Sequence, residues 1–170
     1  MNAVPVPHGG VIDGGKHLLP VRVYYEDTDA GGIVYHANYL RYAERARTEM
    51  LRMAGIDLNR LRDEEGLIFV LYKGEIAYHR PARFDDRLLV VSEMKELGGA
   101  TVVIDQAIWR IDDAGARDFH TASFTAHVAL MQPSGRPARF PKNLRACMES
   151  LIRQPVARTA TGPSHATRIG

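Results

Sequence analysis

The chain has 170 residues, a formal charge of +2, and 45% hydrophobic against 25% charged side chains, the proportions of one globular domain large enough to bury a core. No apolar run approaches the roughly 18 residues a membrane-spanning helix needs, and the start of the chain lacks the basic cluster and continuous apolar segment of a secretory signal. A single cysteine, Cys147, excludes an internal disulfide framework and suits a reducing compartment, so a cytoplasmic location is expected.

Charge is unevenly spread. From Ser134 to Gly170 seven basic residues face one acid, Glu149. Such a tail either meets phosphates of a ligand, nucleic acid or lipid surface, or simply keeps the chain soluble.

In chain order, the Gly- and Pro-rich residues 1–18 read as a disordered N-terminal extension. Residues 19–26, "LPVRVYYE", read as a strand. Gly31-Gly32 breaks the chain, and a helix is predicted over 38–54. Its apolar positions Tyr39, Tyr42, Ala43, Ala46, Met50, Met53 and Ala54 recur three and four apart, giving one buried stripe. Arg41, Glu44, Arg45, Arg47, Glu49 and Arg52 take the other face, with Arg45–Glu49 as an i,i+4 pair. Gly55 ends the helix, and a short charged helical segment covers 58–65.

Four strand-like runs follow, 67–80, 88–97, 101–111 and 117–131, separated by "PARFDD", Gly98-Gly99 and Asp112-Asp113-Ala114-Gly115. They read as an antiparallel meander. "FPKNLRACMESLI" forms a short terminal helix, and 151–170 a flexible basic tail. The order predicts an α+β domain over 19–150, one long helix on an antiparallel sheet of about five strands. One helix cannot cover such a sheet, so self-association, edge to edge, is expected.

Several catalytic motifs are absent: no G-x-S-x-G elbow, no P-loop, no dinucleotide-binding glycine motif and no H-E-x-x-H. His36, His79, His120 and His127 show no metal-ligand spacing, and His120 and His127, seven apart on a strand, are expected on opposite faces. Cys147 has no histidine nearby in sequence. What remains is "EDTDAGG". Asp29 lies just before a glycine pair that delivers the chain to a helix, whose unpaired N–H groups suit an oxyanion. A carboxylate there serves as general base or nucleophile. Equally, Asp before Gly-Gly is ordinary turn chemistry and Asp near a helix start is ordinary capping. Tyr24, Tyr25, Tyr35, Tyr39 and Tyr42 could all be core, and the residues alone leave these readings open.

"YYEDTDAGGIVYHANYLRYAERARTEML" closely resembles the signature of the hotdog-fold acyl-CoA thioesterases of the 4-hydroxybenzoyl-CoA thioesterase family, nearest the YbgC-type branch associated with the Tol–Pal system. Thr28-Asp29, Gly32-Ile33-Val34, Tyr35-His36, Asn38-Tyr39 and Glu44-Arg45-Ala46-Arg47 fall at the family offsets. "YHRPARFDDRLLV" resembles a second block of the same branch. The resemblance implies a hotdog fold, a long helix wrapped by a curved antiparallel sheet, and hydrolysis of acyl-CoA or acyl carrier protein thioesters without cofactor or metal, CoA being part of the substrate. It implies Asp29 as the catalytic carboxylate, with Tyr25 and His36 assisting or orienting. The acyl group would enter near Gly32, its carbonyl polarised by backbone N–H groups around Tyr35 and His36. Arg80 and Arg83, with Lys95, Lys142 and Arg145, are candidates for the CoA phosphates. Asp27 is a cap, a support or a rival base. A homodimer or homotetramer is implied, with sites between subunits. A non-catalytic hotdog module binding acyl carriers or Tol–Pal envelope proteins is the alternative. A hotdog hydratase is a third reading, and nucleic-acid binding by the tail is not expected.

Overall fold

Asp13-Gly14-Gly15-Lys16 sets the first element. Gly14 and Gly15 have φ of +56° and +77°, as a two-residue hairpin turn requires. They join β1 (Val11–Asp13) to β2 (Lys16–Arg22) in antiparallel register. The computed structural model describes residues 8–153. Within that range the expectation of a disordered extension fails, because the glycines serve a turn rather than chain flexibility; residues 1–7 lie outside the described residues. His17 anchors the hairpin. Its ring is buried, and its Nε2–H donates to the Gly9 carbonyl at 2.7 Å. Burial pushes its pKa below the ordinary value.

β2 ends earlier than expected, and a 3-10 turn (Tyr25–Asp27) follows. Then come α1 (His36–Met53), α2 (Leu58–Asp63), β3 (Ile68–Tyr78), β4 (Arg87–Leu97), β5 (Thr101–Ile111), β6 (Arg117–Met131) and α3 (Lys142–Arg153). The six strands form one antiparallel sheet in the order β1-β2-β4-β5-β6-β3. The α+β hotdog architecture holds, with six strands instead of about five. The expected four-strand meander is corrected: only β4, β5 and β6 are sequential neighbours, while β3 pairs with β6 at the far edge. The reason is the connection. α1, about 27 Å long at 1.5 Å per residue, packs on β2, β4 and β6 and carries the chain across the sheet before β3 begins. α3 buries Leu144, Met148 and Leu151 and continues to Arg153. The domain therefore extends at both ends past 19–150, and of the expected tail, 154–170 lies outside the described residues.

The buried face of α1 carries Tyr39, Tyr42, Ala43, Ala46 and Met50 as the periodicity predicts, together with Asn38, Arg47 and Leu51. Met53, placed on that stripe by spacing, is exposed. Glu49 pairs with Arg52, not with Arg45. Arg47 corrects the pattern most, being buried where an exposed charge was expected.

The apolar core divides into two clusters. One holds Met50, Ile104, Phe124 and Met94; the other holds Tyr39, Tyr42, Val90, Ile108 and Ala122. Between them, on neighbouring strands, sit Ser92 and Gln106. Arg47 Nη1 donates to Gln106 Oε1 at 2.6 Å, and Gln106 Nε2 donates to Ser92 Oγ at 2.8 Å and to the Ala43 carbonyl at 2.9 Å. Arg47 also pairs with Glu44 and lies over the Phe124 ring at 5.3 Å. A helix turned or slipped along the sheet would strand these groups without partners.

A bulge in β6 corrects one further expectation. Ile108 pairs with Ala122 but Trp109 with His120, leaving Thr121 as the extra residue. The shift returns His120 to the side that carries His127, and His120 stacks on Trp109 and His79, at 4.5 Å each.

Replacing Gln106 with Leu leaves Arg47 buried with one fewer partner. Urea unfolding should show a loss of about 3 kcal/mol, the scale for breaking a buried charged contact.

Candidate active site

The stretch from Thr28 to Val34 folds into a tight loop. Thr28 and Val34 form an isolated antiparallel bridge. The Asp29 N–H donates to the Ile33 carbonyl and the Gly32 N–H to the Asp29 carbonyl, both at 3.0 Å. Gly32 takes φ of +71°, open to glycine at little steric cost. The Gly31 N–H donates to Asp29 Oδ1 at 2.8 Å. One carboxylate oxygen of Asp29 is thereby tied down, which fixes the aim of the group, while Oδ2 has no protein partner among the described residues. Asp29 is exposed.

Asp27 does different work. It is buried, and its Oδ2 accepts the Tyr24 N–H at 2.8 Å. Its carbonyl accepts both the Tyr35 N–H and the Asn38 Nδ2–H, each at 2.8 Å. Asp27 therefore brackets the 3-10 turn to the first turn of α1. Tyr42 lies buried beside it, without a hydrogen bond of normal geometry. Burial first, then the Asp27 charge, push the Tyr42 phenol pKa well above its ordinary value. Asp27 is thus a structural carboxylate, and the rival-base reading lapses.

That bracket also decides which amides are free. The Tyr35 N–H is taken by Asp27, and the Asn38 N–H turns back to the Tyr35 carbonyl. No side chain caps the helix. Among the described residues, the His36 and Ala37 N–H groups have no acceptor. Of the amides expected to be open around Tyr35 and His36, that of Tyr35 is already bound because Tyr35 precedes the first turn, and the open pair is His36 and Ala37.

The turn between β3 and β4 closes one side of this neighbourhood. The Val34 N–H donates to the Ala82 carbonyl at 2.9 Å, and the Ala82 N–H donates to the Tyr39 hydroxyl at 3.0 Å. Tyr25 stacks on Phe84 with ring centres 3.9 Å apart and is 76% exposed, so it is not a core residue. Tyr24 and Tyr35 are likewise exposed, while Tyr39 and Tyr42 are buried. The His36 ring contacts Tyr35 and Tyr78, and the Tyr78 hydroxyl donates to the His36 carbonyl at 3.1 Å. Tyr78 is a site residue that sequence reasoning missed; its position at the end of an apolar strand gave no sign that it would meet the helix start.

Among the cations, Arg83 sits on this turn. Asp85 pairs with Arg22 and Asp86 with Arg110, so the guanidinium of Arg83 is not needed to pin its own turn. Arg80 lies over Phe119 at 4.0 Å. Lys95 pairs with Glu93 near the far end of β4, and Arg145 binds the Gly98 carbonyl and Glu149. With β4 about 33 Å long, these two belong to the opposite end of the sheet, whereas Arg80 and Arg83 are near the loop. Among the described residues, no group of three or more His, Cys, Asp or Glu side chains is gathered for a metal ion, and no helix is long and apolar enough to cross a membrane.

A long helix laid on an antiparallel sheet, with a carboxylate loop at its amide-bearing start, defines a hotdog domain with an acyl-transfer site in outline. Comparison with known proteins gives the family. Residues 31–116, just over half the chain, match the model described as Thioesterase superfamily. The chain is 41% identical over 134 residues to an acyl-CoA thioesterase YbgC of Haemophilus influenzae, covering 78% of this chain and 94% of that protein. A probable thioesterase from Bartonella henselae has a TM-score of 0.67 at 35% identity, over 74% of this chain and 99% of its own. The 4-hydroxybenzoyl CoA thioesterase of a Pseudomonas species shares the fold, with a TM-score of 0.72 at 18% identity, over 78% and 98%. The chain belongs to the thioesterase superfamily.

The two aspartates can be told apart by experiment. Asp27→Ala loses the Tyr24 contact and should cost about 1–2 kcal/mol in urea unfolding. Because the Asp27 carbonyl still holds Tyr35 and Asn38, kcat should fall less than about tenfold, far less than for loss of a general base.

Proposed function

We propose that the protein hydrolyses acyl-CoA thioesters at the Asp29 loop and the start of α1. The observation that carries this is the pairing of a fixed carboxylate with two acceptor-free amides at a helix N-terminus. The thioester carbonyl enters beside Gly32, with its oxygen toward the His36 and Ala37 N–H groups, where developing negative charge is stabilised. Asp29 then acts in one of two balanced ways. As a base, it takes a proton from water, hydroxide adds to the carbonyl carbon, the C–S bond breaks, and the proton passes to the CoA sulfur. As a nucleophile, it forms a mixed anhydride with release of the thiolate, and water cleaves the anhydride. Both consume one water and give a carboxylic acid and CoA.

His36 positions the carbonyl through its amide, and its ring, with Tyr35 and Tyr25, walls the entrance. Arg80 and Arg83 meet the CoA phosphates at low specificity, as surface cations do. An acyl carrier protein thioester presents the same reacting group and is a second substrate form. The lone, half-buried Cys147 suits a reducing compartment, and a cytoplasmic setting is proposed on that ground.

The active form is a homodimer joined through β3. β3 is the long edge strand of the sheet, eleven residues, and it exposes Ile68, Leu71, Tyr72 and Tyr78. A long apolar edge is a template for another copy of the same strand; two such dimers stacked give the tetramer.

Asp29→Asn keeps the size of the side chain and an oxygen for the Gly31 N–H, but it neither accepts a proton at neutral pH nor attacks as a carboxylate. Thiol release from acyl-CoA should fall at least about 100-fold, with the melting temperature unchanged. Turnover near the wild-type rate in this variant would remove Asp29 from the chemistry.

A further inference from the structure

His17 is 1% exposed and has no part in the Asp29 loop. It lies on the inner face of β2, opposite Ile12 of β1 and Ser92 of β4, and Ser92 is opposite Gln106 of β5. The ring therefore ends the polar row that begins at Arg47 and crosses the sheet through Gln106 and Ser92. Its two nitrogens are used unequally. Nε2–H donates to the Gly9 carbonyl at 2.7 Å, while Nδ1 is buried and meets no partner among the described residues. A neutral imidazole with its one proton on Nε2 fits this setting. A second proton would put an N–H and a positive charge into the buried space with no acceptor for either.

The chain before β1 is laid closely over that ring. Gly10 takes φ of +86°, and a Cβ there would lie 2.4 Å from the Leu18 carbonyl oxygen and 2.8 Å from His17 Nε2. A Cβ at Gly9 would lie 3.1 Å from Glu49 Oε2. Residues 8–13 thus form a strap across the edge of β2 and beside α1. The strap is lightly held. β1 pairs with β2 over three residues, Val11 is 49% exposed, and among the described residues the side-chain hydrogen bond that ties residues 8–10 to β2 is that of His17.

The charged and titratable neighbours of the ring are few. From α1, Glu49 favours its proton, although Glu49 is itself paired with Arg52. From the strap, His8 Nδ1 accepts the Gly10 N–H at 3.0 Å. From β1 and β4 the ring meets uncharged Ile12 and Ser92, and Glu93, on the other face of the sheet, pairs with Lys16 and Lys95. Burial outweighs Glu49, so the closed ring takes its proton only below the ordinary histidine range.

We infer that residues 8–13 are an acid-released strap, closed over β2 while His17 is neutral and opened when that ring takes up a proton. In the open strap the ring reaches water and is protonated at its ordinary value of about 6.5. Closure is therefore fully favoured above that value. It weakens as pH falls, by about tenfold per pH unit, until the closed ring is itself protonated. Opening uncovers residues 16–18 of β2 and wets the Ser92 end of the row that holds α1. The strap lies before residues 31–116, which carry the family match, and the inference does not rest on the Asp29 reading.

Hydrogen–deuterium exchange of the full chain, read by mass spectrometry with labelling times scaled to the intrinsic rate at each pH, tests it. Protection of residues 11–18 should fall about tenfold between about pH 7.5 and about pH 5.5, while β4, β5 and β6 keep theirs. Equal protection at the two pH values overturns the inference. His17→Phe keeps a ring in the space but cannot titrate, so its protection should not change with pH. The same acid loss in that variant overturns the inference. Should His17→Phe leave the strap open at every pH, Glu49→Gln decides. Without that carboxylate the closed ring is harder to protonate, so the loss at about pH 5 should exceed that of the wild type; an equal or smaller loss overturns the inference. His8→Ala should respond to acid as the wild type does. A response abolished in that variant would assign the release to His8 and overturn the inference.

Discussion

The buried contact between Arg47 and Gln106 is the constraint on which the placement of α1 depends. A helix resting on a sheet through apolar side chains alone can turn or slide at modest cost, because such packing has little direction. Here one guanidinium must meet one amide that is itself held by Ser92 and the Ala43 carbonyl. The start of the helix inherits this precision. It delivers the His36 and Ala37 amides beside the Asp29 loop. A single polar seam between two apolar clusters therefore fixes where the helix start lies against the loop.

The acidic cluster before α1 divides its labour by burial. Asp27 faces inward, where an unpaired carboxylate would be costly, and its hydrogen bonds organise the turn. Asp29 faces outward on a loop closed by its own backbone, with one oxygen tied and the other without a protein partner among the described residues. Consuming the Tyr35 amide in the Asp27 bracket moves the open donors one residue into the helix, to His36 and Ala37. Organisation of the turn and the choice of which amides stay open are thus one event.

Much of this was legible in the sequence. The three-and-four spacing after Asn38 located α1, the turn residues located β3 to β6 closely, and the "TDAGGIVYH" stretch located the loop that leads into the start of α1. The misses share a physical cause: they depend on partners distant in sequence. Arg47 looks like a surface charge until Gln106, 59 residues later, supplies its acceptor. Gly14-Gly15 looks like flexible chain until β2 finds β4 and gives β1 a neighbour. β3 reads as the first strand of a meander, because periodicity reports which residues face the core and is silent on which strand lies alongside. Tyr78 and the β6 bulge belong to the same class. As for site roles, the residue types in the motif left turn chemistry and catalysis equally open, and only the resemblance favoured Asp29.

The central claim is that a complete site needs two chains joined at β3. The most direct measurement pairs sedimentation velocity with acyl-CoA thiol release on a Tyr72→Asp variant, whose added charge on the β3 edge opposes pairing with its own copy. The account predicts a folded monomer that releases no measurable thiol from acyl-CoA. A folded monomer working at the wild-type rate would contradict it.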